Sequence, residues 1–305
     1  MDTSVILNFN FLFKKISNII YIMTEPYIGR HIGTTNGFRT TVDYADSIGC
    51  NFFQIFLASP KRYNFNRRDK SDLLYIQNKL NEKNMKLVIH ANYMLNFCNP
   101  EDSQKHKSAI KILTNDLMDS IIIGAIGVVV HMGKKLDMDE NVAIDNYVKG
   151  IKTVLNQTPK ESIIILETGA GQGTEICTSI FNLGKLYRRF TKGEQQRIKF
   201  CIDTCHIFAA GYNIGHINYV NLFCNLIKTH LSWDNIACIH LNDSECILDS
   251  RKDRHANIGN GCIKLKGLKK FTQICGNKGI PIVLETPCSG DDKNNEIKLI
   301  KSWFD

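Results

Sequence analysis

Eight polar side chains, each suited to binding a metal or moving a proton, or adjoining groups that are, close eight short apolar runs: His31, Gln54, His90, His131, Glu167, Asp203, His240 and Glu285. The runs are YIGRHIG (27–33), FFQIFL (52–57), KLVIHA (86–91), GVVVHMG (127–133), SIIILET (162–168), IKFCIDT (198–204), ACIHLN (237–242) and IPIVLET (280–286), spaced at roughly 25 to 45 residues. A lone histidine or carboxylate at the end of a strand is ordinarily a satisfied structural residue. So many ionisable groups at one end of a core are another matter, because burying them is costly without compensating charge. Divalent cations supply that charge, and a His, Asp and Glu set without cysteine suits zinc, manganese or iron. Two local motifs add donors. In CIDTCHIFAAGY (201–212), His206 follows Asp203 by three residues and is able to face the same site. In SRKDRHANIGNG (250–261), the D-x-H spacing of Asp253 and His255 puts both side chains on one face of an extended segment, as two donors to one ion require.

For such scattered residues to meet, the elements carrying them must converge. Between the apolar runs lie segments of helical period: 71–84, 108–127, 141–155 and 267–279. Buried-type strands alternating with amphipathic helices imply a parallel sheet, and eight such units fit closure into a (β/α)8 barrel better than an open sheet. All strands of such a barrel end at one face, where active sites sit. A chain of 305 residues suits a barrel of typically about 250 residues as one domain, and 43% hydrophobic residues are enough for its core.

The formal charge of +8, from 38 Lys and Arg against 30 Asp and Glu, favours a polyanionic partner. Eleven scattered cysteines without a CxxC pair argue for reduced thiols inside a cell, with Cys201 and Cys205 as packing residues. The apolar stretch at 4–23 is interrupted by Asn8, Asn10, Lys14, Lys15 and Asn18, so it does not read as a membrane span of about 20 apolar residues. It is expected to be an N-terminal extension (1–26) ahead of a barrel at 27–305.

The strings LETGAGQG (166–173), CIDTCHIFAAGY (201–212), HLNDS (240–244) with SRKDRHANIGNG (250–261), and PIVLET (281–286) resemble the endonuclease IV family of apurinic/apyrimidinic endonucleases. The resemblance runs from Tyr27 to about Phe304. It implies a TIM barrel with three zinc ions, manganese or iron being possible substitutes. One zinc would be held by His90 and His131, with Glu167 bridging to a second that also takes Asp203, His240 and Glu285. The third would take His206, Asp253 and His255. The implied reaction is hydrolysis of the phosphodiester 5′ to an abasic site in duplex DNA, with Glu285 and Glu167 as catalytic residues. It leaves a 3′ hydroxyl and a 5′ deoxyribose phosphate, and cleaning of blocked 3′ ends is implied as well. The protein is expected to act as an intracellular monomer without a membrane.

Substrate engagement needs cations near the metal face. The loop KRYNFNRRDK (61–70) carries five positive residues against one negative, with Tyr63 and Phe65 interleaved. Cations for phosphates and rings for exposed bases suit damaged DNA. By resemblance, Lys61, Arg62 and Tyr63 occupy the lesion-contacting loop and Tyr93 matches an intercalating tyrosine. The wording SPKRY departs from the family's usual asparagine, glutamine and arginine. Two rival functions use overlapping parts. A metal-dependent sugar isomerase or epimerase leaves His206, Asp253, His255 and the basic loop without a purpose. A non-catalytic DNA-damage binding protein has no need of the metal donors.

Overall fold

The computed structural model describes residues 25–287 and 292–305; the N-terminal extension, save residues 25 and 26, lies outside them. Every apolar run becomes a strand. They are β1 (Ile28–Arg30), β2 (Phe52–Phe56), β3 (Lys86–His90), β4 (Val128–Val130), β5 (Ile164–Glu167), β6 (Ile198–Asp203) and β7 (Ile236–His240). Next in the chain, β8 (Asp243–Ser244) and β9 (His255–Ala256) form a small antiparallel ribbon, and β10 (Ile282–Leu284) completes the main sheet. The eight parallel strands run in the order β1-β10-β7-β6-β5-β4-β3-β2. The two ends meet where His31 bridges Gln54 in parallel, and the Ile32 amide donates to the Gln54 carbonyl at 2.7 Å. The sheet is thereby closed into the TIM barrel that the alternation predicts. At Gly29 of β1 an added Cβ would lie 1.5 Å from the Phe52 carbonyl oxygen, so only glycine lets β1 approach β2.

Helices cover the outside, and local chemistry fixes where they begin. Asp69, Ser103, Asp139 and Ser179 each accept hydrogen bonds from the first-turn amides of the helices Lys70–Glu82, Gln104–Ile123, Glu140–Gln157 and Ile180–Tyr187. The Gln104–Ile123 helix ends on Gly124 in the left-handed region at φ 77°. Among the described residues no helix is long and apolar enough to cross a membrane.

The period of two along each strand sorts the barrel into two cores. Outward-facing residues such as Ile55, Leu87, Ile89, Leu166, Ile202 and Ile239 pack under the helices. Inward, Phe52, Val88, Val129, Ile165, Cys201, Cys238 and Val283 form a separate apolar cluster. Each lies two residues before one of Gln54, His90, His131, Glu167, Asp203, His240 and Glu285. The lumen thus carries a dry apolar floor with a polar layer directly above it. Cys201 and Cys205 are fully buried, as packing residues should be.

Candidate metal centre

Strand alternation lifts His90, Glu167, Asp203 and His240 from that floor into the C-terminal mouth of the barrel, and His131 and Glu285 follow one residue beyond β4 and β10. The remaining donors come from the loops. His206 lies in the short helix Thr204–Ala209, whose N-cap is Asp203 itself: the Asp203 carboxylate accepts from the His206 amide at 2.9 Å. Asp253 and His255 sit on the excursion between β7 and β10. Its return is pinned by Asp243, whose side chain accepts from the amides of Gly259, Gly261 and Ile263. The LETGAGQG loop reaches over to this segment, where Gln172 accepts from the Asp253 amide at 3.1 Å.

The donors gather in three groups. His90, His131 and Glu167 form one; Glu167, Asp203, His240 and Glu285 a second; His206, Asp253 and His255 a third. Within each group the candidate donor atoms lie within 4.8 Å of one another. Glu167 belongs to two groups and faces His90 Nε2 at 3.3 Å, His131 Nδ1 at 3.4 Å and His240 Nδ1 at 2.9 Å. Two further groups contain thiols, Cys201–Cys238–His240 and Asp203–Cys205–His255. Burial pushes Cys205 up to about 12 and holds Cys201 well above the usual thiol range, so both stay protonated and are poor ligands.

The histidine rings are oriented from behind. Rear Nδ1 atoms of His90 and His206 donate to the Ala91 and Thr168 carbonyls, each at 2.7 Å, leaving Nε2 facing the carboxylates. In the third group the Nε2 atoms of His206 and His255 are buried without a hydrogen-bond partner. Each stands 3.2 Å from an oxygen of Asp253. Two orphaned nitrogens aimed at one carboxylate are what a shared cation would satisfy.

Charge balance points the same way. Burial pushes the Glu285 and Asp253 carboxyls up, yet the facing histidines outweigh it and hold both below the usual range. Glu167 is likewise held well below its ordinary value, by His131 and His240 against burial. Burial prevails at Asp203, which stays raised. On the histidine side, burial lowers His206, His240 and His255, but nearby carboxylates prevail; the first two rise well above the ordinary value and His255 reaches about 9. In His131, burial wins and drives it down to about 4. A water-poor site that draws protons onto its histidines demands positive charge, and divalent cations meet that demand with imidazole and carboxylate donors.

Above the centre opens a cavity of about 610 Å³, lined by all three groups and rimmed by Met94, Lys134, Leu136, Arg254 and Tyr93. Tyr93, half exposed, roofs the cluster with its ring 5.3 Å from His90 and 5.5 Å from His131.

Over most of the chain, residues 42–304, the sequence matches the xylose isomerase-like TIM barrel family. A relative from Acanthamoeba polyphaga mimivirus that bears the name endonuclease 4 is 40% identical over 301 residues, covering 94% of this chain and 96% of its own. The chain belongs to the endonuclease 4 family. A Mycoplasma genitalium chain of the same name is 35% identical, over 88% of this chain and 92% of its own. Among solved structures, endonuclease IV from Thermus thermophilus superposes with a TM-score of 0.79 at 24% identity, covering 92% of this chain and 99% of that one, which is a likeness of fold.

The basic loop makes contacts that its count of charges does not reveal. Arg67, itself still exposed, pairs with the buried Asp119 (Nε to Oδ1 2.6 Å), and Arg68 donates to the Leu57 carbonyl. Asn115 holds the Phe65 carbonyl at 2.8 Å. Two of the five cations therefore anchor the loop, and the other three, Lys61, Arg62 and Lys70, are exposed. Tyr63 stacks on Phe65 at 6.3 Å and its hydroxyl donates to the Met94 carbonyl at 3.4 Å, joining this loop to the one that bears Tyr93.

Sequence reasoning gave no role to three contacts. Asn242 donates to Asp203 (2.7 Å) and accepts from the Glu285 amide (2.9 Å). Its position two residues beyond His240, on the lumen side of the same alternation, was the available signal. Asp119 carried none, being one acid among many on a helix. Nor did the buried Arg30–Glu296 pair (3.6 Å), in which Glu296 also accepts from the Ile258 amide and so ties β1 to the loop after His255.

Proposed function

We propose that the protein is a zinc-dependent apurinic/apyrimidinic endonuclease that hydrolyses the phosphodiester 5′ to an abasic site in duplex DNA and also clears blocked 3′ ends. The barrel at 27–305 acts as one catalytic domain. The observation that carries this reading is the sharing of Glu167 between two donor groups, with a third beside them, under a cavity of about 610 Å³. In this reading His90, His131 and Glu167 hold one zinc. Glu167, Asp203, His240 and Glu285 hold a second, and His206, Asp253 and His255 a third.

When bound, such ions lower the pKa of a water from about 15.7 towards about 7 and neutralise charge on entering and leaving oxygens of an in-line displacement. The rest falls to the chain. Glu285, with Oε1 fixed by Gln54 and its amide by Asn242, orients the attacking water and takes its proton. Lys61 and Arg62 bind backbone phosphates on either side of the lesion. Tyr93 and Tyr63 fill the gap that the missing base leaves in the stack; an abasic nucleotide lacks the stacking of its own base, so turning it out towards the centre costs less than for an intact one. The apolar floor beneath the polar layer closes the lumen on the side away from the cavity.

The test is a duplex bearing one abasic analogue, incubated with protein that is metal-replete, chelator-treated, or chelator-treated and resupplied with zinc. The expected outcome is a single nick on the 5′ side, lost with chelator and restored by zinc. Tight binding of the abasic duplex without nicking by zinc-replete protein would overturn the reading. Glu285→Gln should fold normally and cut about 10²- to 10⁴-fold more slowly, the range for losing a positioned general base; near-normal incision at saturating zinc sinks its assigned role.

A further inference from the structure

His240 is steadied from behind differently from His90 and His206. His90 and His206 rest their rear nitrogens on backbone carbonyls, which no substitution at the carbonyl residue removes. His240 instead points its Nε2 at a side chain, Gln54 Oε1, 2.9 Å away on the far side of the lumen. The same carboxamide sends its Nε2 to Glu285 Oε1 at 2.7 Å and to His31 Nδ1 at 3.1 Å. Gln54 is fully buried, with no solvent to replace any of these bonds.

The chemistry of the partners fixes every proton in this network. A carboxylate only accepts, so the amide nitrogen must face Glu285 and the amide oxygen must face His240. An amide oxygen also only accepts, so Nε2 of His240 carries a proton. Nδ1 faces Glu167 Oε1 at 2.9 Å and Glu285 Oε2 at 3.1 Å; without a cation it also carries a proton that these carboxylates accept, and a cation that displaces this proton meets the ring's lone pair there. The second amide proton of Gln54 is taken by His31, a ring held neutral by burial, whose Nδ1 is therefore an acceptor. With its amide nitrogen placed between two acceptors, Gln54 has one orientation that satisfies all three neighbours, and flipping it breaks all three bonds.

We propose that Gln54, backed by His31, is a positioning residue of the metal centre: it selects Nδ1 of His240 as the metal donor and holds Glu285 with Oε2 turned to the same point. The inference rests on the metal reading of the centre, and it extends it from the nine donors to a carboxamide that touches no metal. It also accounts for two of the eight strand-closing residues that have no place among the donors.

The experiment compares wild type, Gln54→Met and Gln54→Glu. Zinc affinity is measured by competition with a chelating dye, and the protonated nitrogen of His240 by ¹⁵N NMR of the protein loaded at saturating zinc. Methionine fills the space of glutamine without its polar atoms. Gln54→Met should bind zinc about 10- to 100-fold more weakly at one site, the usual cost of losing an outer-shell partner, and its His240 should no longer show the pure Nε2–H pattern. Glutamate keeps an acceptor for His240 and loses the donor to Glu285, so Gln54→Glu should retain the Nε2–H pattern while its zinc affinity falls. A purely structural role would lower the melting temperature of Gln54→Met with the nitrogen pattern and the zinc affinity unchanged, and that result overturns the proposal. Should Gln54→Met not fold, Gln54→Glu with both zinc affinity and nitrogen pattern of wild type overturns it equally. If wild type takes up no zinc at all, the metal reading falls first and this role with it; zinc uptake equal in all three proteins removes the role of Gln54 alone.

Discussion

Asp253 shows what one side chain does in the third donor group. Its carboxylate lies between the two orphaned nitrogens of His206 and His255, each 3.2 Å from one of its oxygens. Asp253→Ala should therefore remove about one equivalent of zinc and leave the others, as elemental analysis after dialysis will read; full retention of zinc would remove Asp253 from the donor set. A second carboxyl gives a pH prediction away from the metals. Asp116 lines a polar cavity of about 350 Å³ beneath the basic loop, and burial, helped by the charge of Asp119, pushes it up to about 8. A carboxyl with a folded pKa above its unfolded value of 3.8 contributes stability that is complete below about pH 4 and is lost as pH rises through 8. Asp116→Asn should thus leave the melting temperature at pH 4 unchanged and raise it increasingly up to pH 8. The gain is modest because the residue keeps some contact with solvent; a variant that tracks wild type across that range contradicts the assignment. At this scale the sequence was legible where spacing is local. Asp203 with His206, and Asp253 with His255, stand three and two residues apart, so motif and geometry coincide. Gln54 and Glu285 are 231 residues apart, and no local pattern announces a hydrogen bond set by how two strands align across a closed barrel.

Elements were legible wherever burial imposes a period. Each strand alternates between an outer core and the lumen, and this alternation places His90 over Val88 and Glu167 over Ile165. Loops carry no such constraint, so a count of charges in 61–70 does not separate cations that meet solvent from those that hold the loop down. Asp119 makes that separation by binding Arg67 and accepting from the Arg68 amide at 3.0 Å. The two classes of cation should behave differently towards DNA. Lys61→Ala with Arg62→Ala should weaken binding of abasic duplex and make the salt dependence of log K shallower by about 2, near 0.9 for each phosphate no longer neutralised. Arg67→Ala should weaken binding through loop disorder with the salt slope unchanged. Binding titrations between about 50 and 200 mM salt compare the two; equal slopes for wild type and the double variant would take Lys61 and Arg62 out of the phosphate-binding surface.

For the whole molecule, the metal centre and the barrel are one thermodynamic object. Donors from β3, β5, β6, β7 and the segments after β4 and β10 gather in the mouth of the barrel, so cations there join strands that otherwise meet only through their neighbours. Without cations, four carboxylates share the mouth of the barrel, and the positive charge they need comes from protons on His206, His240 and His255. Cations that bind only the folded chain stabilise it by mass action, about 4 kcal/mol per site at a thousandfold excess over Kd. At about 2–4 °C per kcal/mol for chains approaching this length, chelation should lower the melting temperature by on the order of 10 °C per tightly held ion. Protons compete for the same histidines, so the gap between loaded and metal-free protein should widen from pH 6 to pH 8 as the imidazoles give up their protons more readily. Scanning calorimetry of both forms across that range measures it, and a gap that is absent or constant with pH would mean that the histidines do not bind cations in competition with protons.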